Sequence, residues 1–187
     1  MPNNLNKLRC YTAGPIEFAD QLSEKQQAFN KEKLDNFLRE KGVRVLDPKK
    51  IFFRGIAEIE DRKKLFDNKD YKEIRRQVKL IVRKDLRAVD ISDFVIAYFP
   101  KGVKTTGTVH EIIEADRQRK PVLLLCPEGI RHIPLWFFGI IPVEYMFDSM
   151  KNLFEYLEKI DEYSEPDKLS DRWQFIISNL MDEETGI

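Results

Sequence analysis

The sequence predicts an α/β fold in which a parallel sheet of five strands is covered by helices on both faces. Short apolar runs of β type alternate with longer amphipathic patterns along the 187 residues, which is typical of right-handed β-α-β units. The clearest run, at 94–99, is almost continuously apolar, as expected of a parallel strand buried on both faces. We therefore predict a doubly wound sheet.

Each predicted strand is a short apolar run bounded by turn residues. The first strand ends at Gly14-Pro15 and the second at Asp47-Pro48, because glycine and proline interrupt regular structure. The five strands are expected at 8–13, 43–46, 94–99, 121–126 and 141–147.

The helices are identified from apolar residues that recur at helical spacing. Residues 49–70 are charged and partly aromatic, and we expect a helical insertion there. Taken together, the elements predict a flavodoxin-like fold in one domain over residues 1–187, with extra C-terminal helices. The main helices are expected at about 19–41, 71–90 and 108–119, with two more after about residue 148.

In such a sheet, ligands bind beyond the carboxyl ends of the strands, where the strand order reverses. That rule selects the loops at 13–18 and 100–108, and both of them contain glycine. We therefore look for functional residues in and beside these two loops.

Composition excludes several classes of function. Lys plus Arg number 32 and Asp plus Glu also number 32, so a general binder of nucleic acid polymers is not expected. Neither a signal-peptide pattern nor a segment long enough to span a bilayer is present, so we expect a cytoplasmic protein without a membrane partner. Cys10 and Cys126 lie in apolar runs and predict buried thiols. His132 has no ligand set around it, so no metal is expected, and no cofactor either.

Glu111 is the first candidate for chemistry. It follows Gly107-Thr108, and we place it in the first turn of the next helix. Backbone N–H groups and the helix dipole would favour its ionised form there, as a nucleophile requires. The alternative is a first-turn glutamate that only complements the dipole.

Asp85 is the second candidate. It continues the apolar stripe of Ile74, Val78 and Ile81 at helical spacing, and apolar surroundings should raise the pKa of its carboxyl group. A raised pKa suits a general acid. The alternative is an aspartate at the edge of the stripe that pairs with neighbouring basic residues, namely Arg83, Lys84 or Arg87.

The two carboxyl groups form a more informative pattern together. When a glycosidic bond is cleaved through a covalent intermediate, an ionised carboxylate acts as the nucleophile and a protonated carboxyl group acts as the general acid. The sequence thus favours glycosidic chemistry and predicts carboxyl groups about 5 to 9 Å apart across one pocket.

Four motifs in order resemble the nucleoside 2-deoxyribosyltransferase superfamily, which includes nucleoside 5′-monophosphate N-glycosidases. They are Tyr11 to Pro15, Asp85-Leu86 ahead of Ser92 to Ala97, Gly107 to Glu111, and Lys120 to Val122, and they cover roughly residues 7–126. The resemblance implies that Glu111 is the nucleophile, Asp85 the acid/base and Tyr11 the residue that orients the nucleophile. It also implies a homo-oligomer and a role in substrate binding for Gly14, Asp93, Thr105 and Thr106. The other candidates for substrate binding are Pro15 beside Gly14, Gly107 and Thr108, which let a ligand approach the backbone closely, and His110.

The residues around Glu111 depart from the family pattern, in which Leu-Gly commonly follows the nucleophile. Here Ile112-Ile113 stands there, and His110 replaces a frequent aromatic or apolar residue, so a partly buried histidine is an alternative to a ligand contact. For Asp93 the alternative is a cap or turn residue. Aromatic residues at 136–138 indicate core or a subunit contact rather than base stacking. The segment 49–84, which is longer than the matching region of compact family members, carries basic residues that could hold a 5′-phosphate or form a solvated surface: Lys49, Lys50, Arg54, Arg62, Lys63, Lys64, Arg75 and Arg76.

The sequence is compatible with three functions. If a second base takes the sugar, the protein is a deoxyribosyltransferase, and if water takes it, the protein is a nucleoside or nucleotide N-hydrolase. A non-catalytic nucleotide-binding or sensing module is the alternative from another class. All three have a small nucleoside or nucleotide as their partner.

Overall fold

The computed structural model describes residues 2–15, 31–46, 59–165 and 169–177, and side chains within 59–62 are outside this description. Its five strands form one parallel sheet in the order β2-β1-β3-β4-β5. This is the predicted doubly wound, flavodoxin-like sheet, and the predicted fold class is confirmed. The strands are β1 (Arg9–Ala13), β2 (Arg44–Leu46), β3 (Phe94–Tyr98), β4 (Val122–Leu125) and β5 (Met146–Phe147).

Seven helices lie within the described ranges. None of them is long and apolar enough to cross a membrane. They are α1 (Lys31–Glu40), α2 (Ile59–Asp67), α3 (Tyr71–Ile91), α4 (Thr106–Arg117), α5 (Leu135–Phe138), α6 (Met150–Asp161) and α7 (171–177).

The central strands are buried because their sequences are apolar on both faces. Every residue of β3 and β4 is buried, and their backbones pair from Val95 with Val122 to Tyr98 with Leu125. A strand with helices on both sides needs apolar residues at successive positions rather than at alternate ones. The predicted thiols Cys10 and Cys126 are buried in the same core.

Alternation along β1 assigns the helices to the two faces of the sheet. Thr12 lies on the face of α1, where Lys31 Nζ donates to its Oγ1 at 3.0 Å. Phe37 of α1 stacks on Phe154 of α6 with ring centroids 4.2 Å apart, so α6 covers the same face. Tyr11 lies on the opposite face, which α3 and α4 cover, because successive side chains of a strand alternate.

Two predicted boundaries are corrected. The fifth strand was expected over 141–147, but Pro142 starts a short 3₁₀ turn and only Met146–Phe147 pairs with β4. Helix α4 begins at Thr106, two residues before the expected start. Predictions that fall on residues 16–30 and 47–58, including the basic residues Lys49, Lys50 and Arg54, lie outside the described residues.

The N-terminal segment is tied to the end of α6. The side-chain amide of Asn4 donates to the carbonyl oxygens of Ile160 and Tyr163, each at 2.8 Å. The Leu5 N–H donates to Asp161 Oδ1 at 3.1 Å. Partners 156 residues apart in sequence thus hold the entry into β1.

Candidate active site

Glu111 and Tyr11 form a buried hydrogen-bonded pair between α4 and the centre of the sheet. The Tyr11 hydroxyl donates to Glu111 Oε1 at 2.8 Å. Tyr11 is fully buried and Glu111 is 7% exposed, so solvent competes little for this bond. Since Tyr11 projects from a rigid central strand, it holds the carboxylate in one orientation.

The position of Glu111 on its helix and the environment of its carboxyl group differ from the expectation. Because α4 begins at Thr106, Glu111 lies in the second turn rather than the first, and the helix start does not govern its ionisation. Burial raises the pKa of Glu111 from 4.5 to about 7, against the Tyr11 hydrogen bond, and the charge of Asp85 raises it further. The first-turn position expected for Glu111 is therefore wrong, and burial rather than the helix start dominates its pKa.

The raised pKa that was predicted for the Asp85 carboxyl group is found in the structure. Burial raises the pKa of its carboxyl group from 3.8 to about 6, while the charge of Lys84 opposes the rise. Lys84, one of the basic neighbours expected as a partner, thus acts on the Asp85 carboxyl group through its charge. The charge of Asp85 acts on the pKa of Glu111, so the two carboxyl groups interact electrostatically.

The loop before α4 supplies polar groups close to Glu111. Thr105 and Thr108 are buried, whereas Thr106 and Gly107 are exposed. Thr105 is the N-terminal cap residue of α4 but makes no side-chain capping bond, and the space beside the Gly107 Cα is open. Backbone N–H groups at this helix start can therefore approach a ligand closely.

His110 is exposed, so the expected partly buried histidine is wrong. It lies next to Glu111 in sequence, but consecutive residues of a helix point in directions about 100° apart. A side chain that faces solvent beside a buried neighbour is a weak candidate for the substrate.

The turn after β1 lies at the same edge of the sheet. Gly14 and Pro15 are half-buried, and a Cβ at Gly14 would lie 3.6 Å from the Cβ of Tyr98 at the end of β3. Adjacent carboxyl ends of β1 and β3 are the point where the strand order reverses, as the sequence predicted. A ligand over this edge would face the turn, the α4 loop and Glu111.

Asp93 lies at the other edge of the sheet. Its carboxylate accepts hydrogen bonds from the Arg9 backbone N–H at 2.6 Å and from the Arg9 guanidinium at 2.8 and 3.1 Å. It precedes β3 and joins the amino ends of two strands, which favours the alternative of a turn residue over a substrate contact. A sequence motif places a residue on an element but does not always tell which end of the sheet it serves.

Comparison with known proteins identifies the fold. No family model and no curated protein matches the sequence. A 2-deoxyribosyltransferase from Bacillus psychrosaccharolyticus is similar in structure, with a TM-score of 0.55, 20% identity, and coverage of 79% of this chain and 91% of that one. The chain has the fold of a 2-deoxyribosyltransferase.

Two further solved structures are similar at lower overlap. A Clostridium botulinum CMP N-glycosidase gives a TM-score of 0.46 at 21% identity, covering 80% of this chain and 97% of that one. A Leishmania mexicana 2-deoxyribosyltransferase gives 0.47 at 18% identity, covering 80% and 96%. The Bacillus psychrosaccharolyticus enzyme confirms the predicted resemblance at the level of the fold.

Sequence reasoning missed one acidic residue at the carboxyl edge of this 2-deoxyribosyltransferase fold. Glu128 follows β4, and its Oε2 accepts a hydrogen bond from the Lys101 N–H at 3.3 Å. Its Oε1 is buried and has no hydrogen-bond partner within the described part of the chain. Cys126-Pro127-Glu128 directly after a buried strand was the available signal, since polar residues at that position face the ligand edge.

Burial of Glu111 within the 2-deoxyribosyltransferase fold predicts a pH-dependent cost to stability. The folded pKa of about 7 lies above 4.5, so the folded state binds the proton more tightly and stability falls as pH rises from about 4.5 to about 7. The shift corresponds to about 3 kcal/mol at most. We expect Glu111→Gln, which keeps the Tyr11 hydrogen bond without a charge, to stabilise the protein at pH 8 and not at pH 4.5.

Urea unfolding of the variant and the wild type at both pH values measures this difference. Glu114→Gln is the matched control, because Glu114 is another carboxylate on α4 but only half-buried. An equal difference in unfolding free energy at pH 4.5 and pH 8 would contradict the buried, proton-binding Glu111.

Proposed function

We propose that the protein cleaves the N-glycosidic bond of a nucleoside or nucleotide through a covalent glycosyl ester on Glu111. The observation that carries the proposal is the buried Glu111 carboxyl group, which Tyr11 orients and on which the charge of the half-buried Asp85 acts. The similarity in fold to a 2-deoxyribosyltransferase supports the same bond class.

Each side chain then has one role in the reaction. A carboxylate oxygen of Glu111 attacks C1′, the C1′–N bond breaks with its electrons going to the base, and Asp85 gives its proton to the departing nitrogen. In the second step a nitrogen of another base, or a water oxygen, attacks C1′ and displaces the Glu111 carboxylate. Asp85, now ionised, accepts the proton that the incoming group loses. Tyr11 keeps the attacking oxygen in line through its hydrogen bond.

The sugar end of the substrate is assigned to the edge between β1 and β3. Gly14 and Pro15 close one side, and the start of α4 closes the other. Hydroxyl groups and backbone N–H groups of that helix start suit a sugar hydroxyl or a 5′-phosphate. The residues of this start are Thr105, Thr106, Gly107 and Thr108.

Transfer to a second base is the leading form of the reaction, and hydrolysis is the second. Incubating deoxynucleosides, ribonucleosides and their 5′-monophosphates with a different free base separates the two. A new nucleoside supports transfer, whereas free sugar or sugar phosphate alone supports hydrolysis. Intact-mass spectrometry of the quenched reaction should show a sugar bound to Glu111. Release of base from none of these compounds would overturn the proposal and favour the non-catalytic binding module.

We also propose a homo-oligomer that uses α5. Leu135 and Trp136 are 89% and 75% exposed, while their neighbour Phe137 is buried against Phe99. Two large apolar side chains on one exposed turn are typical of a contact surface. Replacing both with aspartate should lower the mass measured by sedimentation equilibrium, with exposed Phe175→Asp as the control. An unchanged mass, or a wild-type monomer, would contradict this assembly.

A further inference from the structure

Helix α3 is longer than the strand it leads into. Its 21 residues span about 31 Å, whereas the five residues of β3 span about 17 Å. Only Ser92 and Asp93 separate them, so α3 runs antiparallel to β3 with its C-terminal end at the amino edge of the sheet. The N-terminal part of α3 therefore extends roughly 14 Å beyond the carboxyl edge, where the candidate site lies.

One face of α3 changes its environment along this length. Near the C-terminal end, Ala88 and Val89 are buried against the sheet. Asp85 follows on the same face one turn earlier. Beyond it the face is still apolar but is only partly covered: Val78 and Val82 are 38% and 40% exposed. Positions 78, 82, 85 and 89 recur at helical spacing, so this is one continuous stripe.

The partly exposed part of the stripe begins one helical turn from Asp85. Ile81 and Val82 precede Asp85 by four and three residues, which places their Cβ atoms about 5 to 6 Å from that of Asp85. A group that receives a proton from Asp85 lies within reach of these side chains. Branched aliphatic carbons offer a flat heteroaromatic ring an apolar surface and no hydrogen-bonding partner.

We propose that Val78, Ile81 and Val82 form the wall against which the leaving base lies flat while Asp85 protonates it. The proposal rests on the proposed N-glycosidic function and deepens it by naming residues for the base. Because the wall has no polar groups, it accepts purine and pyrimidine bases alike. Discrimination between bases is then left to polar groups elsewhere around the ring.

The test compares two asparagine variants on opposite faces of α3. Val78→Asn/Val82→Asn changes the wall, and Leu80→Asn changes a 53% exposed residue on the far side of the same helix. Binding of free adenine and free cytosine is measured by ligand-observed NMR titration, which needs no turnover. We expect the wall variant to bind both bases about tenfold more weakly and the control to stay within about twofold of the wild type.

Kinetics and assembly complete the test. With a nucleoside substrate, KM of the wall variant should rise by a similar factor while kcat changes less, because the lost contact acts before and during bond cleavage. Equal base binding by the two variants, or no base binding by the wild type, would overturn the wall. A wall variant with a lower mass in sedimentation would also overturn it, because a second copy would then cover the stripe. Weaker base binding without any base release would instead overturn the proposed function alone.

Discussion

Glu111→Ala is expected to lower the rate of base release by at least about three orders of magnitude, because it removes the atom that attacks C1′. Glu111→Gln should lose as much, since a neutral amide keeps the shape and the Tyr11 hydrogen bond but is a poor nucleophile. Single-turnover assays with a saturating nucleoside measure the loss directly. Mass spectrometry should detect no glycosyl ester in either variant.

The matched control for this prediction is Glu114→Gln. Glu114 lies one turn further along α4, and its carboxylate accepts a hydrogen bond from Gln118 at 3.2 Å rather than facing Asp85. We expect the control to keep its rate within about twofold of the wild type, as surface substitutions usually do. Normal turnover by Glu111→Ala would assign the chemistry to another group and remove the central element of the mechanism.

Asp85→Asn is expected to lower the rate by a factor of about 10² to 10⁴, the range for loss of a general acid. It should also change the pH profile in a particular direction. In the wild type, the reactive form has Glu111 ionised and Asp85 protonated, so the rate should pass through a maximum between the pKa of Asp85, about 6, and that of Glu111, about 7. Since burial raises the pKa of Glu111 above that of Asp85, the reactive form is the minor one of the two singly protonated forms.

The variant should lose the falling limb, because asparagine does not titrate. Its rate should then rise with the ionisation of Glu111 alone and stay level at higher pH. Profiles of kcat/KM from pH 5 to 9 measure both changes, and the exposed Asp90→Asn on the same helix is the control. A falling limb that persists in the variant would mean that Asp85 is not the general acid.

Much of the fold could be predicted because each central strand is a compact apolar run. The run at 94–99 has no polar residue to compete with a buried strand, and β3 forms there. The region 141–147 is also apolar, but Pro142 has no N–H and starts a turn, which leaves Val143 exposed and shortens the strand. Local composition predicts where a strand forms more reliably than how long it is.

The candidate site was predicted unevenly, for physical reasons. Spacing alone placed Asp85 on an apolar stripe, and its raised pKa follows from that. The charge state of Glu111 depends on depth below the surface, which emerges only when α4 packs on the sheet. Asp93 matched a sequence motif but lies at the amino edge of the sheet, away from the candidate site. The motif does not show this, because the partner of Asp93 is Arg9, which belongs to another strand.

The N-terminal clamp has a consequence for the order of events during synthesis. β1 lies inside the sheet between β2 and β3, yet the partners of Asn4 are made 156 residues later. Closing so long a loop costs conformational entropy that local contacts do not offset. Contacts between residues far apart in sequence therefore slow folding. A nascent chain on the ribosome can thus pair β1 early but can lock it only after α6 has emerged. Completion of the fold therefore waits for the synthesis of α6.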